Sequence, residues 1–130
     1  MNKVWLYARQ HTTQAELQQQ LHSLYQISAA QGLTVVGVST DSEDAPLRKR
    51  PGLKELCRQV RKGQIQTVMV TRLSALSHSN RLLLRLLKQM QRYGVKLQTG
   101  HTQLMYELYV RGLETPLRNR AARFGGNLPY

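Results

Sequence analysis

The chain has 130 residues, with 19 Lys and Arg against 7 Asp and Glu, for a formal net charge of +12. That length is enough for one core and too short for two. No apolar run approaches the ~18 residues of a membrane span, and residues 1–3 lead straight into an apolar strand without a signal-peptide segment, so the expectation is a cytoplasmic protein without a membrane partner. The single cysteine, Cys57, excludes an intrachain disulfide and reads as a small core residue on a helix.

Residues 4–7, Val-Trp-Leu-Tyr, show no polar alternation, which predicts a first strand covered on both faces. Arg9, His11 and Thr12 follow in a polar loop, outside the carboxyl end of that strand, where open α/β sheets place their sites. Leu17, Leu21, Leu24, Ile27 and Ala30 recur at three- and four-residue spacings and predict an amphipathic helix over residues 14–31. Thr12 or Thr13 suits its N-cap, Glu16 completes a capping box and Gly32 takes the C′ position. A Val- and Thr-rich second strand covers residues 33–40, followed by a polar loop over 41–46 and the basic cluster Arg48-Lys49-Arg50.

Pro51 opens a second helix, where its missing N–H costs nothing; Leu53, Leu56, Cys57 and Val60 form the inner stripe and Gly63 ends it. Residues 65–71 read as a third strand, residues 72–79 as a serine-punctuated segment, residues 80–93 as a leucine-rich helix and residues 95–98 as a short fourth strand. Leu82, Leu83, Leu84, Leu86 and Leu87 make the third helix apolar over more than one face, which core burial or a subunit contact would explain. Beyond residue 99, residues 104–110 are compatible with helix, Gly112 and Pro116 interrupt it, and residues 124–130 are punctuated like an exit linker. Alternating strands and helices predict an α/β fold with a single open, mainly parallel sheet flanked by helices. The predicted division is an α/β domain over 1–98 and a shortened C-terminal helix with a basic exit segment over 99–130.

Charge is unevenly placed. Residues 1–47 hold two basic and four acidic residues, whereas residues 48–130 hold 17 basic and three acidic. A field of that sign suits a polyanion such as DNA, since neutralised phosphates release counterions; the alternative is a solubilising surface. The loop after the first strand, the 48–50 cluster and the segment after the third strand are candidates to meet at one sheet edge. Arginines there would make a phosphate site, because a planar guanidinium holds two phosphate oxygens at once; the alternative is an ion-paired Arg9 and a solvated 48–50 loop. His11, His22, His78 and His101 have no metal-ligand spacing, and no glycine-rich loop follows the first strand, so neither a metal nor a small-molecule cofactor is expected.

Tyr7-Ala8-Arg9 with its polar loop resembles the nucleophile motif of the resolvase/invertase serine recombinases, commonly Tyr-Ala-Arg-Val-Ser. Ala30-Gln31-Gly32, Lys49-Arg50-Pro51-Gly52-Leu53, and Val70-Thr71-Arg72-Leu73 through Leu76-Ser77-His78-Ser79 are similar to later blocks of that family, in the same order. The ending, Arg123-Phe124-Gly125-Gly126 to Pro129-Tyr130, is similar to the junction after the catalytic domain of large serine recombinases. The resemblance covers residues 3–98 best.

The resemblance implies an α/β catalytic domain in which a serine attacks a DNA phosphodiester, forming a phosphoserine link, while arginines stabilise the phosphoryl charge. His11 stands at the position of that serine. Leu73-Ser74-Ala75-Leu76-Ser77-His78 stands where the family has Leu-Asp-Arg-Leu-x-Arg, so an aspartate and two arginines are replaced. Arg9 and Arg50 remain. The expectation is a recombinase-like domain without catalysis, its vestigial site formed by Arg9, His11, Arg50 and His78. DNA contacts are expected from Arg9, Arg48, Lys49, Arg50, Arg72, Arg118, Arg120 and Arg123. A second copy or a related active recombinase is a further expected partner. The competing readings are an active strand-transfer enzyme with a different nucleophile, and a protein-interaction module without DNA binding.

Overall fold

The computed structural model describes residues 2–10, 13–42 and 46–104. The chain starts with β1 (Lys3–Arg9), whose residues after Lys3 are all buried. Successive side chains of a strand point to opposite faces, and here each face has a core. Trp5 and Tyr7 join one apolar cluster, while Val4 and Leu6 join another. Next come α1 (Gln14–Ala30), β2 (Thr34–Asp41), α2 (Pro51–Lys62), β3 (Thr67–Val70), α3 (Asn80–Arg92), β4 (Lys96–Thr99) and β5 (Thr102–Gln103).

The strand order is β2-β1-β3-β4-β5. The first four strands are parallel, and β5 returns antiparallel to β4. The chain leaves β1 toward β2 in one direction and then crosses back over β1 to β3 and on to β4. With right-handed crossovers, α1 therefore covers one face while α2 and α3 lie side by side on the other. The two apolar clusters agree, since Leu24 of α1 meets Val4, Leu6 and Met69, while Leu53, Leu56 and Val60 of α2 meet Leu83, Leu86 and Leu87 of α3.

Helix ends follow local chemistry. Thr13 caps α1, its side chain accepting from the Glu16 N–H at 3.1 Å. Pro51 occupies the first turn of α2, and Gly63, with a φ of +69°, ends that helix in the left-handed conformation. Ser79 caps α3, with Ser77 holding the Ser79 N–H at 2.9 Å. Two serines of the segment that follows β3 are thus used to start a helix.

Several boundaries differ from the sequence reading. Arg9 is the last residue of β1 and is buried, so it does not belong to an open loop. Asp41 is likewise the buried end of β2 rather than the start of the polar loop, because its carboxylate has partners inside the fold. β2 shows mixed burial because it is an edge strand, and β3 is shorter than expected, with Ile65 and Gln66 preceding it. A 3-10 turn over Leu73–Ala75 and the strand β5 were not anticipated. The leucine excess of α3 is absorbed within this chain: Leu82, Leu83, Leu86 and Leu87 are buried, and Leu84 lies partly buried against the same core. The expected helix over 104–110 and the exit segment lie outside the described residues, apart from Leu104, which is buried in the core.

Candidate functional site

The connection directions reverse at β1 and β3, which makes the carboxyl ends of these strands the switch point where an open α/β sheet forms a crevice. Arg9 ends β1 at that point, and residues 72–79 leave β3 beside it. The Arg9 guanidinium donates to the carbonyl oxygens of Ser74 (2.5 Å) and Ala75 (3.3 Å). Arg50, at the start of α2, reaches the same segment from the other side, donating to the carbonyls of Leu76 (2.5 Å) and Ala75 (3.1 Å). The structure therefore brings Arg9, Arg50 and the 72–78 segment together at one edge.

Beneath them lies a buried network that the sequence reading missed. Asp41 accepts from the N–H groups of Gly52 and Leu53, both at 2.8 Å, so its carboxylate caps α2. A carboxylate at a helix N-terminus satisfies open donors and meets the positive end of the helix dipole. Tyr7 donates its hydroxyl to Asp41 (2.6 Å) and accepts from Arg50 Nη2 (2.6 Å), and Arg50 Nε lies 3.6 Å from the Asp41 carboxylate. Burial, and then the bond to Asp41, hold the Tyr7 phenol above its ordinary acidity range, while the Arg50 charge acts in the opposite sense. The available signal was a carboxylate closing a Val-rich strand just before a Pro-Gly helix start. Gly52 is required there: a Cβ would stand 2.3 Å from the Thr40 carbonyl oxygen and 3.0 Å from Asp41 Oδ1.

The basic 48–50 cluster is split by the fold. Arg50 is fully buried, while Arg48 and Lys49 are exposed on a 3-10 turn. Lys49 lines a cleft of about 360 Å³ at the same edge, together with Gln10, Gln14, Thr40, Asp41 and Ser42. Arg72 and His78 are exposed at the two ends of the segment after β3, whereas Arg9 and Arg50 are buried, so His78 does not share their enclosed environment. His11, Thr12, Arg118, Arg120 and Arg123 lie outside the described residues. Among the described residues, no group of three or more His, Cys, Asp or Glu side chains could hold a metal ion, and no helix is long and apolar enough to cross a membrane.

The family model described as "Resolvase, N terminal domain" matches residues 4–111, most of the chain. The chain belongs to this resolvase family. No curated protein matches it. Among solved structures, this resolvase domain is similar to the N-terminal catalytic domain of TP901-1 integrase, with a TM-score of 0.72 and 22% identity over 99% of this chain and 100% of that one. It is also similar to a resolvase family site-specific recombinase from Streptococcus pneumoniae, with a TM-score of 0.72 and 21% identity over 98% and 89% of the two chains. The C-terminal catalytic domain of ISC1926 TnpA, an IS607-like serine recombinase, gives a TM-score of 0.67 and 24% identity over 73% of this chain and 67% of that one. At these identities the structural likeness establishes the fold, and the family match establishes a resolvase N-terminal domain.

Within this resolvase domain, the geometry makes Arg9 and Arg50 a clamp on the segment after β3. Their four bonds to carbonyl oxygens hold residues 74–76 against the ends of β1 and α2. Of its serines, Ser74 is buried, Ser77 accepts from the Ser79 N–H and Ser79 caps α3.

Proposed function

We propose that this resolvase-family domain acts in DNA recombination as a DNA-binding component that does not cleave the strand itself. The observation that carries the reading is His11 at the place of the family's nucleophilic serine, in the run Tyr7-Ala8-Arg9-Gln10-His11. Neutral imidazole supplies no hydroxyl for a phosphoserine link. Moving the role to Thr12 shifts the attacking oxygen by ~3 Å along the chain, and to Thr13 by about twice that, which exceeds the tolerance of in-line attack. Ser74, Ala75 and His78 stand where the family pattern carries an aspartate and two arginines, and each lost transition-state donor costs on the order of 10²–10³ in rate. In this reading the vestigial site keeps the buried Arg9 and Arg50, while His11 and the exposed His78 stand at the serine and arginine positions of the family pattern.

DNA contact falls to exposed basic groups in this reading. Arg48, Lys49 and Arg72 border the site edge, while Arg118, Arg120 and Arg123 extend the basic character into the 99–130 segment, proposed as a shortened C-terminal element. Binding is directed at the phosphate backbone and tolerant of sequence. A related active recombinase would supply catalysis in an assembly, and a second copy of this chain, with the same His11, would add only binding.

The test is incubation of the full chain with supercoiled plasmid carrying candidate recombination sites, followed by separation of topological forms. The plasmid is expected to stay supercoiled, and His11→Ser alone is expected not to restore nicking because Ala75 and His78 still lack guanidinium groups. Nicking by the unmodified chain that disappears on changing His11, Thr12 or Thr13 would overturn the proposal.

A further inference from the structure

The two faces of the sheet carry opposite charge characters. α1, on one face, spans 17 residues without a Lys or Arg and with Glu16 as its acidic residue. α2 and α3, on the other, carry eight Lys and Arg against Glu55. Spacing turns this count into a surface. On α2, Lys54, Arg58 and Arg61 recur at intervals of four and three residues; on α3, Arg81, Arg85, Lys88 and Arg92 recur at four, three and four. Each set forms one stripe along its helix, outside the buried apolar stripe.

The stripes border a common groove. Arg48, Lys54, Arg58, Arg61 and Arg85 line an open cleft of about 740 Å³ between the helices. One neighbouring depression, lined by Ser77, Ser79, Arg81 and Arg85, continues it toward the site edge. Another, lined by Arg61, Arg85, Lys88 and Arg92, continues it toward the helix C-termini. Glu55 also lines the cleft and offsets one of these charges, since Arg58 holds its carboxylate through two hydrogen bonds of 2.9 and 2.7 Å, which leaves the surface in cationic excess. Like charges at helical spacing destabilise the helices that carry them, so the arrangement works against folding.

We infer that the α2–α3 groove is a backbone-binding surface for duplex DNA, separate from the Arg9–Arg50 site. This rests on the proposed DNA-binding role. α3 is about 20 Å long, a length that along the duplex axis takes in roughly six phosphates of one strand at a 3.4 Å rise each. Duplex is favoured over single strand because stacking platforms are nearly missing. The aromatic residue at the described groove is Tyr93, at its far end and against Arg92, whereas single-strand grooves interleave aromatics with charge. An acidic protein would be the other candidate, and the test includes it.

The experiment compares the full chain with Arg61→Gln/Arg85→Gln and with Gln18→Glu/Gln19→Glu, which lowers the net charge equally at exposed positions of α1. Circular dichroism checks that all three are folded, and binding to a mixed-sequence DNA duplex is titrated across salt. The groove variant is expected to lose at least tenfold in affinity at low salt and to flatten the log–log salt slope by about one per arginine, while the α1 variant changes both far less. Equal losses in the two variants, or an unchanged slope in the groove variant, would overturn the inference while leaving the DNA-binding reading in place. Salt-independent or absent binding by the unmodified chain would overturn both. Poly-glutamate that competes as well as the duplex at equal charge concentration would overturn it in favour of an acidic protein partner.

Discussion

Asp41 is the residue on which the site edge depends. Its carboxylate caps α2, receives the Tyr7 hydroxyl and faces the Arg50 guanidinium, all in the interior. Asp41→Ala would leave a buried cation without its carboxylate and two helix N–H groups without an acceptor, and is expected to cost about 3 kcal/mol in urea unfolding. Tyr7 gives this network a pH signature. Its phenol is held above the ordinary value of 10.0 chiefly by burial. A group that folding makes a weaker acid contributes stability that is complete below the unfolded value and is lost as pH rises past it, because the unfolded phenol ionises first. Thermal unfolding is therefore expected to show a fall in Tm above about pH 10 that Tyr7→Phe reduces. A pH profile identical in the two proteins would remove Tyr7 from this role.

At the scale of elements, the strongest local signals were legible. The unbroken apolar run of β1 predicted burial on both faces, and Pro51 and Gly63 bracketed α2. Thr13→Ala is expected to destabilise the chain by about 1 kcal/mol through loss of the α1 cap. Gly52→Ala should cost about 2 kcal/mol, since the methyl group meets the Thr40 carbonyl and must displace α2 from β2. What stayed illegible depends on contacts distant in sequence. A lone Asp at a strand end reads as the start of a loop until α2 is folded against it, and Arg9 reads as a loop residue until the carbonyls of Ser74 and Ala75 are brought to it. Likewise Arg48, Lys49 and Arg50 form one basic run in the sequence, yet a turn exposes the first two and buries the third. β5 escaped notice because two residues with no apolar pattern, held by pairing to β4, leave no periodic trace.

For the molecule as a whole, family membership, a switch-point site and a strongly basic second part describe a resolvase domain, and the proposal of DNA binding without cleavage rests on that charge and on the residues at positions 11, 74, 75 and 78. Affinity for a mixed-sequence duplex is expected to fall steeply with salt, about tenfold or more between 50 and 200 mM, as a contact made to phosphates requires. A flat salt profile in a filter-binding titration would favour the protein-interaction reading. The central claim, binding without cleavage, is tested most directly in one sample: the full chain with a nicked suicide duplex, divided between a native gel and a denaturing gel. The account predicts a salt-sensitive shift on the native gel and no DNA-linked protein on the denaturing gel. A covalent protein–DNA species from the unmodified chain, abolished by substitution of His11, Thr12 or Thr13, would contradict it.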